Sequence, residues 1–208
     1  MKTGILLLIG CALAAPVGAQ GVPALSIRPF VLATEQSFAA IDTFNATFGR
    51  TYDPFFGGGV QVLVHDRIFI EIGVSRFRQT GQRAQLIGGK SFKLGIPLTA
   101  TITPLEVSGG YRFHVWPRVR PYISAGVGSY AYQETSAFAD PGEDVNVRHA
   151  GFVLNGGVEL RLHRWVALGA DVQYSHVAGI LGQGGVSQQA GETDLGGVAA
   201  RVKLIVGR

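Results

Sequence analysis

Over the last stretch of the chain, Val198, Ala200, Val202, Leu204 and Val206 alternate with Ala199, Arg201, Lys203 and Ile205. A period of two puts each set on its own face of a β-strand, so both charges share one side. The segment Val166 to His176 repeats the pattern: Val166, Leu168, Ala170, Val172 and Tyr174 oppose Ala167, Gly169, Asp171, Gln173 and Ser175. Leu154, Val158, Leu160 and Leu162 likewise oppose Asn155, Gly157, Glu159 and Arg161. Leu105, Val107, Tyr111 and Phe113 oppose Glu106, Ser108, Gly110 and Arg112, and Ile68, Ile70, Ile72 and Val74 oppose Phe69, Glu71, Gly73 and Ser75. Three further segments complete the set: Leu25 to Ala33 with Arg28 on its polar face, Gly58 to Val64, and Val119 to Glu134. The pattern thus predicts eight strands, and the first five described carry their mid-strand charges on one face.

The connections alternate in length. Long ones of about 24, 22, 13 and 17 residues (34–57, 79–100, 135–147 and 177–193) alternate with the short turns "HDR", "HVWPR" and "HR", with boundaries good to a few residues. An up-and-down meander with long loops at one end only is the arrangement of an outer-membrane barrel, with short periplasmic turns and longer extracellular loops. About 9 to 11 residues of tilted strand cross a bilayer. An open sheet there would leave unpaired backbone groups in hydrocarbon, so the expected fold is a closed, all-β, eight-stranded antiparallel up-and-down transmembrane barrel. In Ser37 to Gly49, Phe38, Ile41, Phe44 and Phe48 recur at helical spacing behind a candidate Ser N-cap, which predicts a short amphipathic helix on or partly within the barrel mouth.

Composition sharpens this. Hydrophobic residues make up 47% and charged residues 15% of the 208, with 30 glycines, an apolar and Gly-rich balance against the roughly 25% charged of soluble domains. No run of 18 apolar residues follows residue 20, so no spanning helix is expected. The formal charge of +4 reads as scattered Lys and Arg without a basic cluster, and nucleic-acid binding is not expected. At the N-terminus, Lys2, the apolar "ILLLIGCALAA", Pro16 and the small residues Val17 to Ala19 read as a signal peptide over residues 1–19, leaving 20–208 as the barrel domain. The single cysteine, Cys11, also closes a lipoprotein-like "LIGC", but the apolar run continues beyond it. Cleavage after Ala19 would leave a mature chain without thiol chemistry or disulfides.

The export signal, the eight alternating segments, and stretches such as "ITPLEVSGGYRF", "PYISAGVGSYAY" and "GGVAARVKLIVGR" together resemble the small eight-stranded outer-membrane β-barrel proteins of Gram-negative bacteria, of the OmpA-type transmembrane-domain kind. The resemblance covers the mature chain and rests on pattern. It implies insertion in the cell outer membrane by the barrel-assembly machinery, among lipid and lipopolysaccharide, as a monomer. Many such barrels end in an aromatic residue, whereas this sequence reads Val206, Gly207, Arg208; with no peptidoglycan-binding domain after the barrel, a cell-wall tether is not expected.

The inward-facing charges are the strongest constellation: Glu71, Glu106, Glu159 and Asp171 against Arg28, Arg112, Arg161, Arg201 and Lys203. An eight-stranded interior is just wide enough to be filled by side chains, so these are expected to form ion pairs across a packed lumen. Aromatic residues suited to a membrane-interface girdle are Tyr111, Phe113, Trp116, Trp165 and Tyr174. No catalytic, cofactor-binding or metal site is expected. "LIGGKS" (86–91) lacks the leading glycine of a phosphate loop, having Ala84, and "GVGSYA" (126–131) lies within a strand. Asp140, Glu143 and Asp144 read as solvated loop acids. Ser175 and His176, adjacent in a strand, point to opposite faces. The expected function is structural or surface-interacting, with a narrow gated pore as a variant. A lipid-modifying acyl hydrolase or transferase is the alternative, and a soluble secreted ligand-binding barrel, with the faces inverted, a third.

Overall fold

A computed structural model describes residues 25–50, 52–87, 90–136, 145–183 and 185–207; residues 1–19, with Cys11, and the acids of the 135–147 loop lie outside this set. In chain order the elements are β1 (Leu25–Phe38), α1 (Ile41–Phe48), β2 (Tyr52–Val64), β3 (Ile68–Ile87), β4 (Lys90–Arg112), β5 (Val119–Ser136), β6 (Val145–His163), β7 (Val166–His176), α2 (Gly185–Ala190) and β8 (Gly197–Val206). Each strand pairs antiparallel with the next, and β8 returns to β1 through Phe30 opposite Ile205 to Phe38 opposite Gly197. The sheet is therefore a closed barrel in sequential order, with no free edge.

Large apolar residues point outward and charged ones inward. Ile27 is 62% and Val127 65% exposed, whereas Arg112 is 1% and Lys203 2% exposed. This inverts the usual order of a soluble domain and sets aside the soluble secreted barrel. Among the described residues no helix is long and apolar enough to cross a membrane; the strands cross instead. Closure of so narrow a barrel needs small inward residues where backbones or rings come close. A Cβ at Gly59 would collide with the Phe30 ring and the Ile72 carbonyl, and one at Gly126 with the Val107 carbonyl and Ser108.

Two expectations change at the long-loop end. Much of residues 34–57 and 79–100 is strand rather than loop: β1 runs to Phe38, and β3 and β4 continue to Ile87 and from Lys90. With 20 and 23 residues, these two strands are about twice as long as the bilayer requires. Continued backbone pairing, from Phe77 opposite Ile102 to Gly81 opposite Leu98 and beyond a bulge at Gln82/Ala84, costs less than leaving those groups unsatisfied.

The predicted helix starts later than its first phenylalanine. Ser37 and Phe38 belong to β1, where Ser37 pairs with Tyr52 and Val198, so Ser37 cannot cap the helix. Glu192 does so from the last long connection. Its carboxylate accepts from the backbone N–H of Asp42 at 3.0 Å and Thr43 at 2.8 Å, and from the Thr43 hydroxyl at 2.6 Å. The helix ends on Gly49 at φ +76°, a left-handed position that favours glycine.

Candidate functional site: the barrel interior and its two rims

The interior has two layers. Toward the short-turn end, the inward positions of six strands carry Arg28 (β1), Glu71 (β3), Glu106 and Arg112 (β4), Glu159 (β6), Asp171 (β7), and Arg201 and Lys203 (β8). Glu159 accepts from Arg28 at 2.7 Å and Arg112 at 2.8 Å. Gln61 links this group to the next, accepting from Arg28 at 3.1 Å and donating to Glu71 at 3.3 Å. Lys203 donates to Glu71 at 2.5 Å and lies 3.4 Å from Asp171. Arg201 Nε donates to Asp171 at 2.5 Å, and its Nη1 lies 3.7 Å from Glu106. Asp171 accepts also from the Tyr122 hydroxyl at 2.5 Å, while Glu106 accepts from Tyr130 at 2.7 Å and Gln173 at 2.9 Å.

Four acids thus meet four bases inside. Near-neutrality matters because an unpaired charge in such a space bears a desolvation cost of several kcal/mol. The cavity bounded by Phe30, Glu71, Glu106, Ser108 and Arg201 measures about 20 Å³, room for one water. Tyr122, Tyr130, Gln61 and Gln173 are the neutral members of this network. Their inward phase in the strands was the available signal, but a neutral residue carries no charge to draw notice.

Above the charges the filling turns apolar. Phe38, Phe44, Phe55, Phe77, Ala100, Ile102, Tyr130, Tyr132, Val153, Val177, Ile180, Leu181 and Leu195 form one buried cluster. Phe38 and Phe44 stack with centroids 3.7 Å apart, and Phe77 packs 5.2 Å from Phe55. Helix α1 and the 177–195 connection supply side chains that the strands alone lack. A lumen of ion pairs throughout is therefore corrected to a charged layer under an aromatic one.

Arg161 also departs from expectation. It has the inward phase of β6 but lies beyond the interior, exposed at the short-turn rim, with its Nη2 3.9 Å from Asp66. Asp66 is the hub there: Arg112 donates to it at 2.9 Å, His114 Nε2 lies at 2.9 Å and Arg120 Nη2 at 3.7 Å. Asp66 occupies a tight turn in which both it and His65 have positive φ, 57° and 48°, the geometry of a hairpin turn whose twist matches its strands. The reading of scattered basic residues fails at this rim. Arg112, Arg120 and Arg161, from three different strands, converge on this one aspartate, and Arg67, Arg118 and Arg164 lie in the same short turns.

Of the girdle residues, Tyr111 and Phe113 pack edge-on at 5.1 Å, and Trp116 and Trp165 are 56% and 47% exposed at the same rim. Tyr174 lies toward the opposite end, 6.0 Å from Phe152. Ser175 is buried on the inward face. His176 instead meets Asp194 Oδ2 at 2.6 Å, while Asp194 Oδ1 accepts from the N–H of Val177 and Gly196. Ser175 and His176 are not brought together as nucleophile and base.

Closed antiparallel topology with apolar residues outside and paired charges inside defines a transmembrane β-barrel. The chain belongs to the family described as outer membrane protein beta-barrel domain, whose profile matches residues 3–198, which places it among outer-membrane proteins. Among solved structures it is similar to the N-terminal β-barrel domain of Pseudomonas aeruginosa OprF, at 11% identity and TM-score 0.51, covering 88% of this chain and 97% of that one. It is similar also to Ail, the attachment invasion locus protein of Yersinia pestis, at 12% identity and TM-score 0.51, with 88% and 97% covered. At such identities the likeness is one of fold. No curated protein matches the chain.

Proposed function

We propose that this protein is a non-conducting, non-enzymatic barrel that serves as a scaffold at the cell surface, with its work done by the segments at the long-loop end. The carrying observation is the two-layer filling of the interior. A conducting pore needs a polar path past both layers, yet the upper one is a packed aromatic cluster tied down by the Glu192 cap on α1. The long β3–β4 hairpin, with Phe92 and Leu94 each half exposed, offers the apolar contact surface that a barrel wall immersed in lipid cannot. A monomer surrounded by outer-membrane lipid and lipopolysaccharide suits this reading, as does export by a signal peptide.

Planar-bilayer recording on the refolded chain tests the sealed interior: a flat baseline is expected, and stepwise currents at any voltage would overturn it. For the enzymatic alternative, purified protein is incubated with lipid A or phospholipid in detergent. No acyl release is expected. Release abolished by both Ser175→Ala and His176→Ala would make the barrel a lipid-modifying enzyme.

A further inference from the structure

The short-turn rim is strongly and asymmetrically basic. Residues 65–67, 113–120 and 161–165 contain five arginines, three histidines and one acid, Asp66. Five arginines against one aspartate leave this rim with +4, as large as the formal charge of the whole chain. Backbone bonds tie the turns to neighbouring strand ends, the Arg112 N–H to the Arg67 carbonyl at 2.7 Å and the Arg161 N–H to the Arg118 carbonyl at 2.8 Å. Asp66 is already shared by Arg112, Arg120, Arg161 and His114. Among the described residues the Arg67 guanidinium donates to the neutral Tyr111 hydroxyl, and Arg118 and Arg164 have no acid partner. The Nε–H of Arg120 finds no protein acceptor.

The same rim is apolar just outside these arginines. Phe113, Val115, Trp116, Leu162 and Trp165 are all exposed, and an apolar groove of about 560 Å³ runs beside Trp116, Pro117, Arg118 and Val119. Tryptophan beside arginine at one level is the chemistry of a lipid headgroup boundary: the ring lies among glycerol esters and upper chains, and the guanidinium binds phosphate with parallel N–H bonds.

We infer that the short-turn rim is a binding surface for anionic phospholipid headgroups of the periplasmic leaflet, held by Arg67, Arg118 and Arg164 with the lipid chain seated against Trp116 and Trp165. This rests on the outer-membrane reading, which assigns short turns to the periplasmic side. Among the described residues Arg118 and Arg164 have no acid to neutralise them, and an anionic headgroup is the counter-charge within reach of the groove. Lys or Arg near an anionic membrane surface attracts it by about fivefold each.

The chain's two tryptophans both stand at this rim and report on it directly. The full chain is refolded into vesicles in which either phosphatidylglycerol or phosphatidylcholine carries chains brominated near the ester, and tryptophan quenching yields the relative binding constant. Phosphatidylglycerol is expected to be favoured by more than about fivefold, the share of a single arginine. The preference should fall severalfold in the Arg118→Gln/Arg164→Gln double variant, which keeps Arg67, and to near one for the unaltered chain at about 1 M salt, where the Debye length shrinks to about 3 Å. Equal quenching by both lipids in the unaltered chain, or an undiminished preference at high salt or in a double variant that keeps heat-modifiable gel mobility, overturns the inference. Soluble polyglutamate binding to the detergent-held barrel, with no headgroup preference in vesicles, would assign the rim to an acidic protein and also overturn it. If neither brominated lipid quenches, the membrane reading itself falls.

Discussion

The two layers of the interior solve the same problem by opposite means. In the lower one, strands alone fill the barrel, and four acids with four bases from β1, β3, β4, β6, β7 and β8 cross-link it by charge. In the upper one, rings from β1, β2 and β3 leave a space that α1 and the 177–195 connection must complete. Charge pairing couples every strand it touches, so losing one partner is felt throughout. Apolar packing from appended segments is modular, and its loss can stay local.

The sharpest way to break this contrast is at Glu159, the one carboxylate between two buried arginines. Glu159→Gln keeps the shape and leaves Arg28 and Arg112 without their shared counter-charge, a change worth about 3 to 5 kcal/mol. Urea unfolding in lipid vesicles, followed by gel mobility, should show one cooperative transition at much lower urea. A loss under about 1 kcal/mol, the level of an exposed pair, would mean the lower layer is not held by its charges.

Asp171→Leu should weaken the barrel by about 3 kcal/mol, because Arg201 and Tyr122 lose their acceptor and Lys203 keeps only Glu71. Pairing it with Arg201→Leu sharpens the comparison: removing both charges should recover much of the loss, whereas two additive losses would show that the residues act through packing.

Phe44→Ala tests the upper layer. Truncating a buried ring costs about 3 to 5 kcal/mol when the whole structure must absorb it. Here α1 can undock by itself, so the global transition should shift by about 2 kcal/mol or less. Amide exchange should quicken over residues 41–48 and not over β7 and β8. Equal acceleration in all three would make the two layers one cooperative unit.

The difference between the layers also explains what the sequence could disclose. Asp171, Arg201 and Glu159 sit in strands whose period of two fixes their face, so their inward direction was legible from local pattern. Partner choice was not, because Lys203 meets Glu71 across 132 positions of sequence. The upper layer was harder: Phe38 has helical spacing to Phe44, yet it is the last residue of β1, since pairing of Phe38 with Gly197 on β8 prevails over a helix start. The basic rim was illegible for a related reason. Arg67, Arg118 and Arg164 lie in three short turns, and only the barrel topology puts those turns on one rim.

The smallest effect belongs to Glu192, and it bears directly on whether the upper layer is an appendage. Its carboxylate satisfies two N–H groups at the start of α1 that would otherwise lack acceptors, and it does so from the last long connection, so one side chain ties the two appended segments together. Loss of a helix N-cap costs about 1 kcal/mol. Glu192→Ala should therefore leave the urea midpoint of the barrel unchanged while raising proteolytic cleavage within 41–48 and 177–195 in parallel, about fivefold if cleavage follows the open population. Thr43 loses both of its bonds to Glu192 in that variant, whereas Thr43→Val removes only the hydroxyl bond and should produce a smaller rise in both segments. Cleavage that increased in α1 alone would show the 177–195 connection to be held by Asp194 and its bonds to Val177 and Gly196 instead, and the upper layer would divide into two separately anchored parts.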